Sequence, residues 1–590
     1  MKYIKFILSL VSIVLITSCE KDFLQKDPRT EITSAEFFKS AADLETYTNG
    51  FYYMIGANYD DVFSDNISVS TGGAEVDNLI RGNISPDNVG AWNNWGNLRR
   101  INFMLANVDK TQGDPASINH YIGIARFFRG LFYFNMVKRY GDVPWYSKVL
   151  ETNDEAFLYK AKDPRTVVVD SIMRDLEFAA ANVSASMNGG TNTRVTKWTA
   201  LTLLARVALY EGTFRKYHTE LNLQNTADAF LQKAVSASET IMKSGSFAIT
   251  GSGAAGYRAL FSSNNLAGNK EIIFLQKNDA KLNVANNSHV VLDWQWALSR
   301  SLADAFLMKD GTPFTSQPDY DKKAFAQMFD NRDPRMAETI MPPGFSTIPG
   351  GVPYLIKPDF GGLLQVKFYP RDPALRGGWV LNYTDLPIFR YAEVLLSNAE
   401  AKAELGSLTQ ADLDKTINLL RRRVNMPDLV MMTANADPDP ALAARYPAVS
   451  GNNRGVLLEI RRERRVEMAC EGLRWSDLLR WKAGTLLSQP SQGMYVPALG
   501  GLDVSGDGNP DIAIWQNNQS VQPVPELPAG APKYYLEGSS YYLSEGTSGF
   551  IMFKKDQTQP RNFIEPKYYY FPTPLQQTIL NPKLTQPSGW

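Results

Sequence analysis

The sequence predicts a mainly α fold: a scaffold of tetratricopeptide-like helical hairpins that carries long, loop-rich insertions. Three observations lead there. Apolar residues recur at helical spacing through several long stretches, most of them closed by a Gly. The helices come in neighbouring pairs, with small residues such as Ala205, Ala208, Ala399 and Ala403 where two helices would touch. Between about 246 and 385, and again over 485–566, the texture changes to Gly, Asn, Asp and Pro clusters with short strand-like runs such as Glu271–Leu275. The pairs are irregularly spaced, so no repeat follows from period alone. A chain of 590 residues can bury a large core. Lys+Arg and Asp+Glu both total 61, and that balance gives no electrostatic footprint for nucleic acid or an anionic membrane.

The first 18 residues have a basic start and a short apolar run. The run is too short to span a bilayer, which takes about 20 residues, so it reads as an export signal. Its end, Ile16-Thr17-Ser18-Cys19, resembles a lipobox, which makes Cys19 the acylated residue. Several acyl chains anchor stably. Cys470 is the other cysteine, so acylation of Cys19 leaves no intramolecular disulfide, and Cys470 reads as a small buried hydrophobe. Phe23-Leu24 and Pro28 follow in an extended tether.

The body then runs in order. A helix begins at Ser34, with apolar residues from Phe37 to Ile55, and a polar loop fills Gly56–Gly90. Helical pattern resumes from Trp95 to Leu105, from Ile118 to Tyr140 and from Thr166 to Asn182. Arg194–Tyr210 is expected to end at Gly212, and Ala227–Lys243 at Gly245. Leu386–Leu405 and Ala411–Val424 form a further pair, split by Gly406. Leu457–Trp481 reads as helix, turn and helix, with Gly472 in the left-handed conformation. Glu463, Glu467 and Glu471 share one stripe of that first helix. Like charges so spaced repel by a few tenths of a kcal/mol each. Two readings stand: a solvated charged face, or an ion-pair network clamped between helices, with Glu467 and Glu471 buried against arginines. Arg464 and Arg474 are the partners nearest in sequence.

Glu463-Arg-Arg-Val-Glu467 followed by Glu471-Gly-Leu-Arg-Trp-Ser-Asp-Leu-Leu-Arg-Trp481 resembles the signature of the SusD/RagB family. Cys470 stands where an aromatic is usual and Leu473 where a His is common. Phe23-Leu24, Arg126-Phe-Phe-Arg129, Ser301–Gly311, Asp333-Pro-Arg335 and the tail from Phe571 to Trp590 are similar to further landmarks, so the resemblance spans the mature chain. It implies residues 1–18 as signal peptide, 19–250 as an N-terminal helical region, and 251–590 as a C-terminal region with the ligand-binding insertions, in one body. It implies a palmitate-type lipid anchor in the outer membrane and exposure at the cell surface. It also implies a nutrient-binding role without catalysis, most naturally on glycan, and delivery to a SusC-like TonB-dependent transporter. A RagB-type oligopeptide binder is the near alternative. A surface-anchored glycoside hydrolase is the alternative of another class, since two carboxylates can meet across a cleft unseen in sequence.

Little else in the chain suggests catalysis. His120, His218 and His289 make no HExxH, and CxxC and GxSxG are missing. Gly251-Ser-Gly253-Ala-Ala-Gly256 matches a dinucleotide pattern but is followed by a poor helix, so a flexible loop is expected. Arg421–Arg423 and Arg461–Arg465 are interleaved or balanced by glutamates and indicate no nucleic acid. Asp503, Asp507 and Asp511 stand at positions one, five and nine of a calcium-like loop with Gly508 at the sixth; Ile514 replaces the bidentate Glu at the twelfth. A polar turn and a structural calcium are both open there, and no other cofactor is expected. The ligand candidates are loop aromatics, since flat rings stack on sugar faces. Trp296 is foremost, then Trp294 and Trp92, with Trp379 and Tyr383. In strand-like backbone Trp294 and Trp296 would point the same way and form one platform. Trp95 is read as structural.

Overall fold

The computed structural model describes residues 37–70, 74–90, 92, 94–186, 192–292, 294–519 and 527–590. The signal segment, Ser34, Cys19 and the Phe23–Pro28 tether lie outside these residues. Helices α1 (Ala41–Asn49), α2 (Trp95–Asn107), α3 (Pro115–Tyr140), α4 (Arg165–Asn182), α5 (Lys197–Tyr217) and α6 (Ala227–Lys243) form the first half of the scaffold. After α7 (Gly253–Ser262) and the insertion come α8 (Tyr391–Glu404), α9 (Ile417–Arg423), α10 (Arg454–Glu467) and α11 (Arg474–Arg480). Packing is sequential: α3 on α4, α4 on α5, α5 on α6, α6 on α8, and α8 on α10. This is the layered helical scaffold that the paired pattern predicts. Among the described residues no helix is long and apolar enough to cross a membrane.

Local signals set most helix ends. Ser40 and Asp43 form a capping box at the start of α1. Asp114 caps α3 by accepting from the Ser117 N–H at 3.0 Å, with Pro115 in the first turn. Gly245 and Gly406 adopt positive φ as expected. Gly212 does not stop a helix: α5 runs on to Tyr217. A Cβ at Gly212 would lie 2.8 Å from Leu231 Cγ, so this glycine lets α5 and α6 approach closely. The stretch from Leu386 also departs from expectation. Leu386–Arg390 is strand β4, paired with β2 (Ile272–Gln276), and the helix starts only at Tyr391. A five-residue apolar run carries no period that separates strand from helix. The Gly56–Gly90 loop contains strand β1 (Ile67–Ser70) and a helical segment, Glu75–Ile80. The flexible loop expected at Gly251–Gly256 gives way to helix from Gly253. No strand precedes them, α7 follows, and a Cβ on Gly256 would meet Gly251 Cα at 2.7 Å.

β1 pairs antiparallel with β3 (Trp296–Leu298). The 485–566 region builds two three-stranded sheets. One is β5 (Gln492–Val496), β10 (Gly549–Phe553) and β9 (Tyr541–Leu543). The other is β6 (Gly500–Leu502), β7 (Ile512–Trp515) and β8 (Lys533–Tyr535). One apolar core follows the helices and a second lies beneath the loop-rich regions. The tail returns to α3: the Phe571 N–H donates to Arg139 O at 2.7 Å, and the Arg139 guanidinium lies 4.0 Å from the Phe571 ring centre.

α10 joins the two cores through buried charge. Glu467 accepts from Arg390 at 2.6 Å, from Arg423 at 2.6 and 2.7 Å, and from Arg335 at 2.9 Å. Glu471 meets Lys367 and Arg390, each at 2.7 Å. Glu463 takes Arg335 at 2.5 Å and Arg421 at 3.0 Å. Glu271, from beside β2, completes the set with Arg423 at 2.9 Å. Burial pushes the Glu467 carboxyl up, but Arg423, Arg390 and Arg335 outweigh it and hold its pKa well below the ordinary value. The clamped network is therefore the arrangement present, though with distant partners. Arg464 turns to Asp477 at 2.9 Å and Arg474 to Asp65 at 2.7 Å. Cys470 is buried, as a small hydrophobe would be, and shares positive φ with Gly472 in the turn before α11.

Candidate functional site

Trp379 sits at the tip of a tight turn. Gly377 N–H donates to Leu381 O at 2.9 Å and Leu381 N–H to Gly378 O at 3.1 Å. Gly378 has φ +113° and Val380 φ +53°. The second value is costly for a β-branched residue. Asn287 Oδ1 holds the Val380 N–H in that conformation. Asn382, fully buried, locks the base: its backbone exchanges hydrogen bonds with Asn286 at 2.9 and 3.2 Å. Its Oδ1 accepts from the His289 N–H at 2.8 Å and lies 2.6 Å from His289 Nδ1. The 286–292 segment and the 376–383 turn are thus one unit.

Trp294 leaves the helical turn Ser288–Val291, with its N–H on Val290 O at 3.2 Å. Its ring meets that of Trp379 with centroids 5.7 Å apart and planes tilted by 42°. Trp294 is 54% exposed and Trp379 61%. Two adjacent indoles held open to solvent form an uncommon surface. Val380 and Leu381 beside Trp379, and Leu282 and Val284 on the preceding loop, are exposed as well. Arg376 ties in a third loop by donating to Thr347 O at 2.5 Å, next to exposed Ile348. Tyr383 follows in the same hairpin, half-buried, with its N–H on Leu375 O at 3.2 Å. Three loops from the insertion therefore present rings and aliphatic groups over a hydrogen-bonded base. Such a surface can stack on a flat apolar face of a ligand while nearby amides bond its hydroxyls.

Trp296 is a correction, and Trp92 stands apart from the Trp294–Trp379 surface. Trp296 begins β3, is 7% exposed, and donates from Nε1 to Gln365 Oε1 at 3.0 Å. Gln365 in turn donates to Tyr59 O at 2.7 Å. Extended pairing begins only at Trp296, so the period-two alignment with Trp294 does not arise and the two rings part. Trp92 is 9% exposed and meets Tyr140 edge-on at 4.8 Å and Trp95 at 5.6 Å. Its remaining edge, with Trp95, lines a separate cavity of about 380 Å³. Val380, Leu381, Leu282 and Ile348 escaped the sequence reading because lone aliphatic residues in loops carry no signal. Only the Gly377-Gly378 pair marks a sharp turn there.

The calcium-like loop forms a hydrogen-bonded polar turn. Among the described residues, no group of three His, Cys, Asp or Glu is placed to hold a metal ion. Asp503 accepts from the N–H groups of Gly506 and Gly508 at 2.6 and 2.9 Å. Asp507 accepts from Asn509 at 2.8 Å, and Asp511 from Val504 and Ser505 at 2.8 and 2.7 Å. Each carboxylate thus braces its own turn. The histidines are also engaged: His120 Nδ1 accepts from the Ser184 N–H at 3.0 Å, and His218 stacks on Phe214 at 3.8 Å.

The SusD family model matches residues 261–347 and 360–590, and a second model, starch-binding and associating with the outer membrane, matches residues 22–209. Two SusD-like proteins of Formosa agariphila are similar. One is 23% identical over 524 residues, covering 82% of this chain and 93% of that protein. The other is 23% identical over 502 residues, covering 81% and 91%. A SusD-like carbohydrate-binding protein of Bacteroides fragilis, 22% identical, superposes with a TM-score of 0.66 over 93% of this chain and all 100% of that one. A surface glycan-binding protein A from Bacteroides fluxus, 19% identical, gives 0.58 over 94% and 100%. At these identities the structural likeness is one of fold.

Proposed function

We propose, from the premise that this chain belongs to the SusD family, that it captures glycan at the cell surface on the Trp294–Trp379 pair and passes it to a SusC-like TonB-dependent transporter. The exposed indole pair carries the reading. Its base is pinned through Asn382 and Asn287, so little ordering remains to oppose binding. A ring buries about 150–250 Å² when covered. A sugar covers about half of that, which at about 25 cal/mol per Å² is on the order of 2–3 kcal/mol per ring before ordering costs. Capture of sugar needs no chemistry beyond this, and the described relatives named as carbohydrate- or glycan-binding support the choice of ligand. Acylation of Cys19 supplies the outer-membrane anchor in this reading.

The test is a glycan array on the full chain, followed by calorimetry of the best ligand against Trp379→Ala and Trp294→Ala. Each variant should bind about tenfold more weakly or worse, consistent with a loss of about 1.4 kcal/mol or more. Undiminished binding by both variants removes the pair from recognition. Binding to a peptide library in place of glycans moves the protein to the oligopeptide class. For the anchor, Cys19→Ala should shift the protein from the membrane to the soluble fraction; retention after a carbonate wash rejects acylation there.

A further inference from the structure

Trp379, Val380 and Leu381 are three consecutive large apolar residues at the tip of one turn, 61%, 49% and 40% exposed. Val380 and Leu381 belong to neither apolar core. Such a run costs solubility and has no place on a surface without a use for it. The backbone makes the middle residue more unusual still. Val380 is the only β-branched residue among the described non-glycine positions of positive φ. Glycine and asparagine take that conformation with little strain, whereas the branched Cβ of valine crowds its own backbone there. The turn is nevertheless braced to keep it. Asn287 Oδ1 accepts from the Val380 N–H, and Gly377 makes room for Leu381, whose Cβ would lie 2.9 Å from a Cβ at 377. A side chain held against its backbone preference and left in water gains nothing from the folded chain alone, and strain of this kind gathers where ligands are met.

The surroundings say what such a side chain can meet. Segments 346–352 and 377–384 carry no charged residue. Arg376, which joins them, has spent Nη1 on the Tyr369 hydroxyl at 2.7 Å and Nη2 on Thr347 O at 2.5 Å. An isopropyl group offers a sugar hydroxyl no hydrogen bond in exchange for water, so an unmodified sugar edge loses by covering it. A methyl group gains by it. We infer that Val380, with Leu381, is a subsite for a methyl-bearing sugar, either a 6-deoxyhexose or an acetylated residue, whose ring lies on Trp379 while its methyl covers the valine. This rests on the reading of the Trp294–Trp379 pair as a glycan platform and names the class of glycan that the pair takes. The shared chemistry is one neutral methyl beside a pyranose face. Covering it contributes about fourfold in affinity, which an unsubstituted sugar forgoes.

The experiment is calorimetry of the full chain with two matched pairs of oligosaccharides. One pair is acetylated xylo-oligosaccharide before and after alkaline deacetylation. The other is an oligosaccharide capped by L-fucose against its L-galactose analogue, which differs by one C6 hydroxyl. Wild type should bind the methyl-bearing member about fourfold more tightly or better in one pair or both; preference in the first pair alone marks an acetyl site, in the second alone a deoxysugar site. In Val380→Gly the ratio should fall below about twofold, with no drop in melting temperature because the backbone strain is relieved. Val380→Asn, polar and at ease in the left-handed conformation, should lose the ratio as well, and it carries the test if the glycine loosens the turn. Equal affinities of wild type within both pairs overturn the subsite, as does a Val380 variant that keeps the ratio. If the pairs are bound equally and Trp379→Ala abolishes that binding, glycan capture stands and the subsite alone falls. If wild type binds none of the four sugars and nothing on the glycan array, both readings fall.

Discussion

Glu467 and Arg423 face each other at 2.6 and 2.7 Å with no solvent-accessible surface left on either side chain. Removing one partner of such a pair strands the other charges in a dry interior. Glu467→Ala should therefore cost roughly 3–5 kcal/mol in denaturant unfolding. The folded pKa of Glu467 is depressed, so its contribution is present above the unfolded carboxyl value and disappears only as pH falls through the folded one. A loss below about 1 kcal/mol would leave the network without a structural role.

Trp296 and Trp379 should separate stability from recognition. Trp296→Ala removes a buried indole and orphans Gln365, at a cost of about 3–5 kcal/mol. Trp379→Ala, at an exposed position, should stay within about 0.5 kcal/mol of wild type. Equal melting of the two variants would contradict the burial seen here.

Asp61 gives the fold a pH dependence of opposite sign. It accepts from the N–H groups of Cys470 and Gly472 at 2.6 and 3.1 Å and from Asn66 Nδ2 at 2.8 Å. Burial nevertheless pushes its pKa up to about 7 from 3.8, against those bonds. A raised folded pKa contributes stability that is full below the unfolded value and is lost as pH rises through the folded one. Unfolding free energies measured from pH 4 to 8 should show wild type losing ground to Asp61→Asn, with a slope approaching about 1.4 kcal/mol per pH unit and levelling off above the folded pKa. A constant difference between the two proteins rejects the shift.

Asp511 tests the turn that imitates a calcium loop. Asp511→Ala frees the Val504 and Ser505 N–H groups and should speed their amide exchange, with a local cost of about 1–3 kcal/mol. Chelator should leave the wild-type melt where it was. A melt that falls with chelator and recovers with calcium would restore the metal.

Much of the scaffold was legible because a 3.6-residue period is written along each helix; α6 has the bounds that its apolar spacing and Gly245 dictate. Gly212 misled because one residue type serves two purposes, and only the position of Leu231 reveals which. Burial of Glu467 could be suspected from its stripe, but Arg335, Arg390 and Arg423 could not be named, because sequence distance carries no record of which loop returns to α10. The site divided for the same reason. Trp294 and Trp379 are 85 positions apart by their numbers, and the Asn286–Asn382 pairing that unites them leaves no periodic trace. Trp296 was misjudged by an assumed strand that starts two residues late.

The ions around Glu467 also bear on assembly. Glu271, Asp333, Arg335, Arg390 and Arg423 all leave the ribosome before Glu467 does; Arg335 is paired with Asp333, while Arg390 and Arg423 share Glu271. Until α10 arrives, the three arginines outnumber their acids and are better served by water than by each other. A growing chain thus gains little from closing its insertion before the helix that supplies Glu463, Glu467 and Glu471 has been delivered.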